Sequence, residues 1–310
     1  MSKSMPVSDE LRECSTHGEV RVQRHGPGKL ATKTFLSNDD GFCVTNVIIM
    51  GEETCAIFDS QWTIANAYRA LAEIVEENLT LETIYLSHAH PDHYFGSWVF
   101  KKAFPNARVI AVPEEAKIMQ MQWTAKNDEV VPEIGKINYV PRELDFEIEP
   151  YDKDYFEVEG HRVEIIPKLM GDYRYNTACY IPEINTICCS DIVFNQAHPF
   201  TCEVNREERA EWIEVLDRID AMDCDIIIPG HAKFGMPFDR SGLEWTKRYI
   251  QQTEIELDRC KSVGEFYFNM DREFKNSVLT KSNEMNAMVF YGGRQWDWRE
   301  EEVWAESENK

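Results

Sequence analysis

His88-Ala89-His90-Pro91-Asp92-His93 places three of the chain's eight histidines within six residues. The segment leaves an apolar run, Ile84-Tyr85-Leu86, that reads as the end of a strand. In extended chain, residues two apart point to the same side, so His88 and His90 can converge on one ion. Pro91 has its φ fixed and suits the first turn of a helix. A helix starting there turns the chain, and Asp92 and His93 can then face a second ion. Imidazole and carboxylate together suit zinc, iron or manganese rather than calcium or magnesium.

Upstream, Val44–Met50 and Cys55–Phe58 read as strands joined by the turn Gly51-Glu52-Glu53. Ile64, Ala67, Leu71, Ile74, Val75 and Leu79 recur at helical spacing behind Thr63, an N-cap candidate. Thr83–Leu86 is a short strand. Downstream, Tyr94–Phe104 reads as helix, Val109–Val112 as extended and Glu114–Ala125 as helix. Asn127–Pro150, rich in charge and broken by prolines, reads as irregular chain, either a functional lid or a solvated insertion. Phe156–Ile166 reads as a hairpin turning at Glu159-Gly160. Ala178–Ile181, Thr186–Cys189 and Asp225–Ile228 are further strands. Trp212, Val215, Leu216, Ile219 and Met222 mark one face of a helix, and Leu243–Cys260 is a long amphipathic helix. This order predicts two sheets packed face to face with helices outside. Residues 1–240 are expected to form the domain, and 241–310 a helical extension packed on it. The extension is aromatic-rich, with Phe266, Tyr267, Phe268, Phe290, Tyr291, Trp296, Trp298 and Trp304. These read as structural packing or as a subunit contact in a homo-oligomer.

Composition sets the outer bounds. The chain has 310 residues, 43% hydrophobic and 12% aromatic, ample for a large core and incompatible with wholesale disorder. Its 33 basic and 55 acidic residues give a net charge of −22, which repels nucleic acid and anionic lipid. No apolar run of about 18 residues is present, so no membrane-spanning helix is expected. Met1–Glu10 lacks the apolar core of a signal peptide. The nine cysteines show no regular spacing and read as reduced thiols, so the expected location is cytoplasmic.

From about Gly41 to Phe234 the chain resembles the metallo-β-lactamase fold superfamily, the metallohydrolases that include glyoxalase II and the lactonases. Ile57-Phe58-Asp59 resembles the strand-end aspartate that braces the metal loop, and His88–His93 the loop itself. Gly171-Asp172 followed by Tyr180-Ile181-Pro182 resembles a segment that normally reads Gly-His. Ser190-Asp191 matches the bridging aspartate, and Pro229-Gly230-His231 closes the set. The resemblance implies an α/β fold, an αββα sandwich of two mixed sheets flanked by helices. It further implies two zinc ions per chain, with iron or manganese as alternatives. His88, His90 and Asp172 would hold one ion, Asp92, His93 and His231 the other, and Asp191 would bridge them. Asp172 departs from the family pattern. As a ligand it adds a negative charge and makes bound water less readily ionised; the alternative is a degenerate site with one ion or none.

The implied activity is hydrolysis of a small-molecule ester, lactone, thioester or amide by a metal-bound hydroxide. Asp92 is a candidate proton acceptor as well as a ligand, and His198 a candidate general acid. Tyr94, Phe95, Trp123, Tyr175, Phe194 and Phe200 are candidates for an apolar pocket or for the core. Rival readings are an iron-dependent redox enzyme of the same superfamily, a metal-poor binding protein, and a nuclease, which the net charge disfavours.

Overall fold

A computed structural model describes residues 10–134 and 139–295. The chain divides into two compact units. The first comprises the residues up to Ile165 together with Cys179–Asn185; the second comprises Ile166–Ala178 and the residues from Thr186 onward.

The first unit opens with strands β1 (Glu10–Cys14), β2 (Gly18–Gln23), β3 (Ala31–Ser37), β4 (Thr45–Met50) and β5 (Thr54–Phe58), an antiparallel run of neighbours. β4 is buried at every position, the pattern of a strand covered on both faces. Helix α1 (Ile64–Glu76) then carries the chain over to β6 (Thr80–Tyr85), which pairs parallel with β5. The Thr63 side chain accepts from the Asn66 amide at 3.2 Å, and Ala67, Ala70, Leu71 and Ile74 form the buried stripe of α1. Short helices α2 (Pro91–Tyr94) and α3 (Ser97–Ala103) precede β7 (Arg108–Ala111), and helix α4 (Pro113–Ile134) precedes β8 (Glu149–Pro150). The eight strands lie in sequence order, antiparallel in the first half and parallel in the second.

A second, five-stranded sheet uses β9 (Tyr155–Val158), β10 (His161–Leu169), β11 (Asn176–Ile181), β12 (Thr186–Cys188) and β14 (Ile226–Ile228). β9 and β10 form the expected hairpin at Glu159-Gly160. In the second unit, β13 (Phe194–Asn195), α5 (Arg206–Ala221), β14 and β15 (His231–Ala232) are followed by α6 (Arg240–Arg259), α7 (Val263–Glu273) and α8 (Thr280–Tyr291). β12 pairs parallel with β14, Cys188 opposite Ile228. α5 starts on a full capping box, Asn205 accepting from the Glu208 amide at 3.0 Å and Glu208 accepting from the Asn205 amide at 2.8 Å.

The structure adds strands to the sequence reading and revises one stretch. β2 and β3 carry buried charges, Glu19, Arg21 and Lys33, which break the apolar alternation; Lys33 pairs with Glu73 of α1 and with Glu77 just after it at 2.7 and 3.2 Å. Asn127–Pro150 is not irregular throughout, since α4 runs on to Ile134 and β8 closes the stretch. The irregular part, Tyr139–Ile148, is strapped to α4. Trp123 Nε1 and Asn127 Nδ2 donate to the Pro141 and Val140 carbonyls, each at 3.0 Å, and Arg142 pairs with Asp128 at 2.7 Å. The aromatic extension packs on itself, Phe266 meeting Phe290 and Tyr291 in a cluster with Tyr249, Met270 and Phe274. Trp296, Trp298 and Trp304 lie outside the described residues.

Candidate metal centre

In the first unit the site is built on the end of β5 and the turn after β6. Parallel pairing sets Phe58 opposite Tyr85, so the two strand ends lie side by side. Asp59 takes the left-handed conformation there, φ 61°, and is buried. Its Oδ1 accepts from the Ser87 amide and its Oδ2 from the Ser87 hydroxyl, both at 2.9 Å. His93 Nδ1 lies 2.8 Å from the same Oδ2. A carboxylate only accepts, so Nδ1 of His93 carries the proton and Nε2 the lone pair. The Ser87 hydroxyl, its one proton given to Asp59, accepts from His88 Nδ1 at 2.9 Å, and His88 also offers Nε2. One buried carboxylate thereby sets the tautomer of two imidazoles.

His88, His90 and His93 pack ring against ring, His88 lying 4.6 Å from His90 and 4.4 Å from His93 between centroids. Pro91 opens α2 as expected, and His90 is its N-cap residue. Asp92 Oδ2 lies 3.6 Å from His93 Nε2, so these two donors converge. Gly96 makes this turn possible. A Cβ there would overlap the Ser60 carbonyl oxygen, and the Gly96 amide instead donates to the Gln61 carbonyl at 2.8 Å. The Ser60 amide and hydroxyl both hold the His93 carbonyl at 2.8 Å.

In the second unit, the parallel pair β12–β14 ends with Ser190-Asp191 beside Pro229-Gly230-His231. The Gly230 amide donates to the Ser190 carbonyl at 2.8 Å, and a Cβ on Gly230 would overlap Asp191 Oδ1. This close approach brings His231 Nε2 to 3.1 Å from Asp191 Oδ2. The His231 ring stacks on Phe194, centroids 5.1 Å apart and planes 9° apart. Asp172 is buried beside Asp191 along the backbone, its amide donating to the Asp191 carbonyl at 3.1 Å. Asn176 Nδ2 lies 3.4 Å from Asp172 Oδ1.

Imidazoles with their proton on the far nitrogen, set among buried carboxylates, are the donor set of a divalent transition metal. The chemistry of the residues present therefore fits such an ion.

His198, the general-acid candidate, packs against α6. Its ring is fully buried, with Nδ1 3.1 Å from the Tyr249 hydroxyl of α6, and burial lowers its pKa to about 4. At neutral pH that burial favours the uncharged imidazole. Tyr94, Phe95, Trp123 and Phe194 resolve as core. The first three stack on one another at 4.9–5.6 Å and Phe194 on His231 and Trp212. Tyr175 and Phe200 keep partial exposure. Ser87 is a site residue that sequence reasoning passed over; its only signal is a hydroxyl directly before the first histidine.

A model of the metallo-β-lactamase superfamily matches residues 40–231. The chain belongs to the metallo-β-lactamase superfamily and has its αββα fold of two mixed sheets with flanking helices. Among solved structures it is similar to a metallo-β-lactamase family protein from Thermus thermophilus, at 18% identity and a TM-score of 0.57, covering 80% of this chain and 87% of that one. It is also similar to a metallo-β-lactamase from Pontibacter korlensis, at 14% identity and a TM-score of 0.52, covering 78% and 99%. No curated protein matches. No helix among the described residues is long and apolar enough to cross a membrane.

Proposed function

We propose that this chain is a metal-dependent hydrolase that cleaves an ester, lactone, thioester or amide bond in a small molecule. The observation that carries the reading is the Asp59 carboxylate, which commits His93 directly and His88 through Ser87 to present Nε2. Such buried orientation of imidazoles serves a metal. In this reading, as the family resemblance implies, His88, His90 and Asp172 would hold one ion, Asp92, His93 and His231 a second, and Asp191 would serve both. Bound there, zinc would supply Lewis acidity and bring the pKa of a water near neutrality, and iron or manganese can fill the same donors. Asp92, in the first turn of α2, would accept the proton of the attacking water at an Oδ atom. His88 and His93 would keep their Nδ1 protons and move none. The net charge of −22 supports a small-molecule substrate over nucleic acid or a membrane surface, and we place the protein in the cytoplasm. Residues 1–240 would form the catalytic domain and 241–310 a helical extension packed on it.

Elemental analysis of protein made in zinc-rich and iron-rich media tests the reading. About two equivalents of transition metal per chain are expected, and less than half an equivalent in both media would sink it. His90→Ala and Asp191→Ala should each lower kcat/KM on small activated esters or lactones at least about a hundredfold.

A further inference from the structure

Lys126 is 1% exposed, on a protein with a surface that has room for every one of its 33 basic residues. It lies on one face of α4 with Glu115, Met119 and Gln122, all buried, at the i, i+4, i+7, i+11 spacing of a helix stripe. Its ammonium donates to the Ala89 carbonyl at 2.6 Å, the peptide between His88 and His90. One turn earlier on α4, Trp123 packs on Tyr94 and Phe95, just after Asp92-His93, at 5.6 and 4.9 Å. α4 therefore grips the turn Ser87–Phe95 at both ends, and its own position is held by the strap at Val140–Arg142.

We infer that Lys126 is a positioning residue for the histidine turn: its charge-assisted hydrogen bond fixes the Ala89–His90 peptide and with it the angle between the His88 and His90 rings. A buried ammonium is costly where an apolar chain of similar length would fill the same space. Hydrogen bonds from a charged donor are also the strong, directional ones. A methionine would serve packing alone; only a donor holds the carbonyl. Extended chain does not by itself set the twist between two side chains pointing to one side, and the carbonyl between them is the handle that does. The consequence for metal binding rests on the hydrolase reading above, whereas the consequence for the turn does not.

The test compares wild type, Lys126→Met and Lys126→Arg by three measurements. Amide hydrogen exchange of the metal-free protein should rise at least tenfold over residues 87–95 in Lys126→Met, with β3–β4 unchanged. The melting temperature of the same metal-free variant should fall by no more than about 10 °C, the cost of one hydrogen bond at the Ala89 carbonyl being partly offset by removal of a buried charge. Zn²⁺ and Co²⁺ affinity should fall at least tenfold, with a changed visible spectrum of the Co²⁺ form, and Lys126→Arg should recover part of both. Unchanged exchange at 87–95 would overturn the inference, as would tighter metal binding in Lys126→Met, which would make the lysine a mere repelling charge. A fall of melting temperature beyond about 10 °C would also overturn it, by showing a packing role. If wild type binds no metal while exchange at 87–95 rises, the positioning role stands and the hydrolase reading fails.

Discussion

Asp59 sets the state of two residues proposed as metal ligands. Its Oδ2 receives both the Ser87 hydroxyl and His93 Nδ1. In Asp59→Asn, an amide NH₂ at that place would face two donors, and one imidazole must turn over or change tautomer. Metal affinity should fall about 10- to 100-fold with the fold retained, read by competition against a chromophoric chelator; an unchanged affinity would remove Asp59 from the site. Asp172 is the other residue to test. Asp172→Ala should release one of the two metal equivalents and keep the second, because Asp92, His93 and His231 are untouched. Asp172→His should still load, and its acidic limb of activity should move to lower pH, since one negative charge beside the bound water is gone. Full loading of Asp172→Ala would show that the carboxylate is not a ligand.

At the scale of elements, the site depends on close backbone approaches that only particular residues allow. The junction between α2 and α3 rests on the Ser60–Gln61 segment through Gly96. The neighbour of an added methyl is a carbonyl oxygen, and backbone cannot swing aside as a side chain does. Gly96→Ala should therefore lose about 2–4 kcal/mol in chemical denaturation and shed metal as the Ser60 contacts to His93 break. A loss under about 0.5 kcal/mol would mean that the two segments can part without cost. Gly230 does the same for β12 and β14, letting His231 approach Asp191.

For the molecule as a whole, His198 predicts an acid-sensitive fold. Burial holds its ring neutral down to about pH 4, while in the unfolded chain it takes a proton near its ordinary 6.5. Between those values the unfolded state binds more protons, so stability falls as pH drops from about 6.5 to 4 and is unaffected by this group above that window. The full effect is about 3 kcal/mol. Wild type should lose about that much more unfolding free energy between about pH 7 and pH 4 than His198→Gln. Equal losses would show that the ring is solvated in the fold. Around it, Asn286 of α8 binds the Pro199 carbonyl and the amides of Thr201 and Cys202, tying the C-terminal helices to this loop.

The sequence by itself determined the elements whose cause is local. An apolar run such as Ile84-Tyr85-Leu86, the repeat along α1 and the Asn205–Glu208 cap are each complete within a few residues, and so each can be read in place. His88–His93 was legible for the same reason, since ligand type and strand-to-helix spacing lie in one window. Tertiary structure alone decided what spans long separations. Family resemblance marked Asp59 as a brace of the histidine loop, but which atoms it holds, the Ser87 amide and hydroxyl and His93 Nδ1, was decided by the parallel pairing of β5 and β6. Lys126 looks like any surface lysine until α4 turns it onto Ala89, 37 residues away. Glu19, Arg21 and Lys33 hid two strands, β2 and β3, because their burial depends on partners rather than on hydropathy. His198 carries no mark of its environment in its neighbours. Its neutral state is a property of the core that closes over it, and desolvation belongs to the packed molecule.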